Sequence, residues 1–193
     1  RSLNDRKTIS KLISLSYDKN DPIAWRAMEV IGLAAKEIAK TSPDTLRNIA
    51  GRLLWMLRDE SGGIGWSVPE ILGEIVRNNS VLCSDFAPII VSFHEELMLT
   101  SGVLWAIGRM GKINKETVDY AIPIVRSYLQ APDAAQRGYA AHALGDMGDM
   151  GSIPLLENLR TDESRIRFYE DGILKEKSVG ELASAAIGKL STF

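Results

Sequence analysis

The sequence predicts an all-α protein, an α-α superhelix of about five helical hairpins, with one small β-hairpin inserted near the C-terminus. Three observations predict it. Five alanine-rich or apolar runs end in the same phrase of two small or apolar residues and glycine: Val30-Ile31-Gly32, Ile71-Leu72-Gly73, Ala106-Ile107-Gly108, Ala143-Leu144-Gly145 and Ala186-Ile187-Gly188. The glycines are separated by 41, 35, 37 and 43 residues, a period that fits one helix pair per repeat. Finally, Asp171-Gly172 stands between β-rich flanks, a strong hairpin signal.

Each element follows in chain order. First helices of the pairs are expected near 5–16, 43–58, 84–95, 115–130 and 151–160, and second helices near 22–39, 67–78, 99–111, 133–147 and 179–190. The repeats then run 5–40, 43–80, 84–113, 115–149 and 151–193, all in a single domain 1–193. Pro43, Pro132 and Pro154 fall at or near helix starts, where the missing N–H costs nothing. Ser67-Val-Pro-Glu70 and Ser178-Val-Gly-Glu181 read as capping boxes. Positions one, two, four and five before each glycine are nearly all small or apolar, which defines one buried helix face. The glycine reads as a point of close approach to the next helix. The hairpin, 165–177, lengthens the last repeat; it is expected to cap the end of the stack, with a contact element as the alternative.

The run Asp133-Ala-Ala-Gln-Arg137-Gly-Tyr-Ala140-Ala-His-Ala143-Leu144-Gly145 resembles the HEAT repeat, particularly the short bacterial variety called PBS lyase HEAT-like. Asp21-Pro22 resembles the same turn. The second and third repeats match only through the glycine column. The resemblance implies a fold rather than an activity.

Composition narrows the function classes. The chain has 193 residues, 45% hydrophobic and 25% charged, with a net charge of −2; this is an ordinary globular composition. A nucleic-acid binder usually carries a basic excess, so nucleic acid is not an expected partner. No apolar run approaches the ~18 residues that cross a bilayer, and a membrane partner is not expected. The single cysteine, Cys83, fits a reducing, cytoplasmic compartment. Charge is uneven: residues 1–58 carry 11 basic and 6 acidic side chains, whereas 59–96 carry 1 basic and 7 acidic.

One helical stripe stands apart from the buried face. Three positions before each glycine stand Glu29, Glu70, Trp105, His142 and Ala185; one turn earlier come Trp25, Trp66, Ser101, Gly138 and Glu181, and one turn later Leu33, Glu74, Arg109, Asp146 and Lys189. Aromatic residues beside charges are typical of interface anchors. In HEAT-type stacks second helices line the concave side, so the resemblance makes this stripe the default exposed binding surface. Packing between repeats is the competing role for the tryptophans. The loop Arg58-Asp-Glu60-Ser-Gly62-Gly63-Ile-Gly65-Trp66 is glycine-rich but lacks the Lys-Ser/Thr ending of a phosphate loop. The expected binding residues are therefore Glu60, Gly62, Gly63, Trp66, Glu70, Glu74, Trp105 and Arg109.

The expected function is a non-catalytic protein-interaction scaffold with another protein as partner and with no cofactor. The resemblance implies an alternative, a lyase or chaperone for a bound tetrapyrrole, whose reactive candidates are Glu70, Glu74 and Cys83. A HEAT-like DNA repair protein is a further alternative, opposed by the glutamates on the stripe. HEAT-like di-iron hydroxylases use several His-Glu pairs; here only His94-Glu95 matches, so no metal is expected.

Overall fold

The computed structural model describes residues 2–58 and 65–192, and helix dominates them. Eleven α-helices occur among these residues: α1 (Ser2–Leu15), α2 (Pro22–Thr41), α3 (Pro43–Arg58), α4 (Val68–Asn78), α5 (Ser80–Cys83), α6 (Ala87–Ser92), α7 (Thr100–Gly111), α8 (Ile122–Ser127), α9 (Ala134–Asp146), α10 (Ile153–Glu157) and α11 (Val179–Leu190). A single two-stranded antiparallel sheet pairs β1 (Arg165–Glu170) with β2 (Ile173–Ser178).

The five second helices form an inner row. α2 packs on α4, α4 on α7, α7 on α9 and α9 on α11, in chain order. The remaining helices pack against members of this row. The glycine column explains the spacing. A Cβ on Gly73 would lie 2.6 Å from the Ala106 Cβ, and one on Gly108 would lie 2.9 Å from the Ala143 Cα. On Gly145 it would lie 2.8 Å from both Cα and Cβ of Ala186. Each glycine thus admits the backbone of the next helix, and the alanine two positions before the next glycine fills the contact. Gly32 meets Glu74 instead, so the first step of the row has a different register. Gly188 has nothing within 4 Å, as α11 is the last of the described helices in the row.

The row brings second neighbours into contact. Trp25 of α2 and Trp105 of α7 stand two places apart in it, yet their ring centroids lie 5.4 Å apart, edge to face.

The helix starts follow side-chain chemistry. Asp21 accepts from the Ile23 N–H and Asp133 from the Gln136 N–H, each satisfying an orphan donor of the first turn. Ser178 and Glu181 form the expected capping box. Ser67 and Glu70 do not. The Ser67 hydroxyl donates to the Ser16 carbonyl at 2.6 Å, and Lys19 draws Glu70 away at 2.9 Å. Two long-range partners outcompete the local cap and tie α4 to the turn after α1.

The first helices of the last three pairs are shorter than the continuous spans 84–95, 115–130 and 151–160. α6, α8 and α10 each carry proline in their opening turn and each follows a 3-10 turn. Pro88, Pro123 and Pro154 lack the N–H that a continuing helix needs, and their rings crowd the preceding turn. The helix therefore restarts at each proline.

Asp171 and Gly172 have φ of 52° and 80°, the left-handed pair that a two-residue hairpin turn demands. The hairpin does not serve simply as a terminal cap. It packs on α9 and α11 and reaches α2 at the opposite end of the row, for reasons given below.

The column yields a paired test. Gly145→Ala is expected to cost about 1–3 kcal/mol by overpacking. Gly188→Ala, the same change in the same phrase, should be neutral or stabilise by up to about 1 kcal/mol through helix propensity. Urea melts of the two variants check this; equal and opposite-to-expected shifts would remove the close-approach role of the glycines.

Candidate functional site

The stripe on the second helices is an internal network rather than an exposed face. Glu70 and Glu74 are each 1% exposed and Trp105 is 2% exposed. Their burial follows from the contact between second neighbours in the row and from the hairpin laid over the stripe.

Three cations neutralise the two buried glutamates. Lys19 donates to Glu70 and, at 3.0 Å, to the Trp66 carbonyl. Arg77 donates to Glu74 at 3.1 Å, and the Arg109 Nε binds the other oxygen of Glu74. The second arm of Arg109 reaches Glu29 at 3.0 Å, so one guanidinium links α2, α4 and α7. Its guanidinium carbon also lies over the Trp105 ring, 5.2 Å from the centroid. Burial works against the Arg109 charge, but Glu74 and then Glu29 more than compensate and hold the guanidinium above its usual range. Planar, forked donors suit this linking role better than an ammonium. Glu70 also fixes its surroundings: its carboxylate fills the space where any side chain at Gly102 would stand.

The hairpin completes the network. The Tyr169 ring stacks on Trp25 with centroids 5.4 Å apart and planes 12° apart. Its hydroxyl donates to Glu29 at 2.8 Å. Burial, and then the Glu29 charge, push the Tyr169 phenol well above its usual range. Arg26 donates to the Gly172 carbonyl at 2.8 Å, and Arg167 donates to Asn20 at 3.1 Å. Residues of the last repeat thus clasp the first.

A second cluster lies further along the stripe. Lys189 donates to Asp146 at 2.6 Å, and the His142 Nε2 lies 3.3 Å from the same carboxylate. The His142 ring also meets Phe168 of the hairpin edge-on at 4.7 Å. Burial opposes ionisation of Asp146, yet His142 and Lys189 hold its carboxyl well below the usual range.

The remaining sequence candidates fall elsewhere. Trp66 is half-exposed in the 3-10 turn that precedes α4. Glu60, Gly62 and Gly63 lie outside the described residues. The acidic block 59–96 is not a free negative face, since Glu70 and Glu74 are buried in ion pairs; Glu95 and Glu96 are exposed. His94 pairs with Tyr128 at 3.0 Å. Among the described residues no three His, Cys, Asp or Glu side chains are grouped to hold a metal ion. Cys83 is fully buried, and burial pushes its thiol up to about 11, which is a poor state for a nucleophile.

The sequence reading missed a groove between α1 and α3. Both helices lean on α2 and leave about 730 Å³ between them. Ile9, Ile13, Ile49, Leu53 and Met56 supply the apolar lining. Spacings of four on α1 and of four and three on α3 put these residues on facing helix stripes. One signal was available: Trp55 follows Arg52 by three residues on a helix whose inward face is already filled by Leu46, Ala50, Leu53 and Leu54. Trp55 therefore points outwards, 66% exposed.

Two predictions follow from these environments. The Cys83 thiol should react with a soluble disulfide reagent at the rate of global unfolding, and labelling within seconds under native conditions would contradict its placement. For Asp146, the folded-state pKa lies below the unfolded one, so its contribution is full above pH ~4 and fades as pH falls towards the folded value. Asp146→Asn should cost about 2 kcal/mol at pH 7 and flatten the loss of stability below pH 4, as measured by urea melts across pH. An unchanged acid slope would count against the pairing.

No protein-family model matches the chain. The chain is similar to an uncharacterised protein of Archaeoglobus fulgidus, with 28% identity over 175 residues, covering 90% of this chain and 92% of that protein. Among the described residues no helix is long and apolar enough to cross a membrane.

Proposed function

We propose that this chain is a HEAT-like α-α superhelix acting as a non-catalytic scaffold for another protein, in the cytoplasm. The glycine-spaced row of second helices and the contact between second neighbours in it support the architectural half of this reading. The observation that carries the functional half is the set of large apolar side chains turned outwards on the first two helix pairs. Trp55 and Trp66 stand there with Leu15 and Tyr17, all about half-exposed or more. Tryptophan and tyrosine are enriched among the residues that anchor protein interfaces.

The contact surface in this reading is the outer side of the first repeats rather than the concave stripe. The stripe's charges are spent on each other and on the hairpin. Trp66 keeps the role first expected of it, whereas Glu70, Glu74, Trp105 and Arg109 become framework that holds the scaffold rigid.

The test is comparative capture from an extract of the source cells. A Trp55→Ala, Trp66→Ala double variant should keep the native helical signal, since neither ring is in the core. It should lose at least about tenfold of any protein that the native chain retains, in line with aromatic anchors worth 2 kcal/mol or more. Equal retention by the variant would overturn the placement of the interface.

A further inference from the structure

We propose that the groove between α1 and α3 seats an acidic amphipathic helix of the partner protein. This deepens the scaffold reading and rests on it. The groove has the three properties that a helix-in-groove interaction needs. Its floor is apolar and runs along two helices: Ile13 on one side and Ile49 and Met56 on the other are half-buried, above the buried Ile9 and Leu53. Its lined length on α3, from Asn48 to Met56, is about 12 Å at 1.5 Å per residue. That is just over two helical turns, room for anchors at i, i+4 and i+7 of a visiting helix.

The rim sets the sign of the visitor. Lys7 on α1 and Arg52 on α3 line the groove from opposite walls, both are exposed, and among the described residues no acidic side chain lines it. The wider segment 1–58 carries 11 basic against 6 acidic residues in a chain whose net charge is −2. A helix with glutamates or aspartates flanking its apolar stripe therefore meets complementary charge on both sides, and a basic helix is repelled. Trp55, which the helical spacing sets beside Arg52 and Asn48, extends the apolar contact over the rim. Tyr17 closes the other end with its ring half-exposed and a hydroxyl free to follow the visitor's backbone or side chains.

The experiment is selection from a display library of helical peptides about 16 residues long, using the whole chain as bait. Binders should converge on apolar residues at helical spacing with net negative flanks, and their affinity should fall with added salt. Their amide-shift footprint should centre on α1 and α3. A Lys7→Glu, Arg52→Glu variant, altered only at exposed positions and checked by thermal melting, should bind the selected peptides at least about tenfold more weakly. Neutral or basic binders, binders that the charge-reversed variant retains, or no enrichment at all would overturn the proposal. So would self-association of the chain that the same variant abolishes, since the groove would then hold a second copy. Capture of an extract protein that needs Trp55 and Trp66 but ignores Lys7 and Arg52 overturns the acidic-helix assignment alone and leaves the scaffold reading standing.

Discussion

The close approach of successive second helices through the glycine column is the contact on which the rest of this structure depends. Removing every side chain from one position per helix lets Gly73, Gly108 and Gly145 meet Ala106, Ala143 and Ala186 almost backbone to backbone. Tight spacing on that side is what lets Trp25 touch Trp105. The same approach brings Glu29, Glu74 and Arg109, from three different helices, within reach of one another. A wider spacing would separate these groups and leave buried charges unpaired, a costly state.

The hairpin uses the same close approach. It belongs to the last repeat by sequence, yet Tyr169 lies on Trp25 and bonds to Glu29, 140 positions earlier in the chain. Two aromatic rings, one shared carboxylate and two arginine bonds join the ends of the row. The stripe side of the row is thereby occupied by the protein itself. In the proposed scaffold reading partners meet the chain elsewhere, on the outward tryptophans and the α1–α3 groove.

Local signals in the sequence were legible because they act within one helix or turn. The glycine phrases at Gly73, Gly108 and Gly145, the Ser178–Glu181 box and the Asp171–Gly172 turn stand as read. The second helices start and stop within a few residues of their expected bounds. What failed was non-local or a matter of competition. Ser67 and Glu70 fit a capping box by spacing, but Ser16 and Lys19, some fifty residues away, hold them instead. The breaks in the outer helices were visible as Pro88 and Pro123, which the helical periodicity of their neighbours masked. The stripe of Trp, Glu and Arg has the composition of an interface, and an interface it is, but between repeats. Composition alone does not tell an external contact from an internal one when the partner surface lies 140 residues further along the chain.

The four tryptophans give the most direct test of this account. Hydroxyl-radical footprinting read by mass spectrometry reports the exposure of each ring in the native chain. The account predicts rapid oxidation of Trp55 and Trp66, with Trp25 and Trp105 protected beneath Tyr169 and Arg109. Oxidation of Trp25 and Trp105 as fast as that of Trp55 would mean that the hairpin does not clasp α2. The stripe, and not the outer face, would then be the surface open to partners.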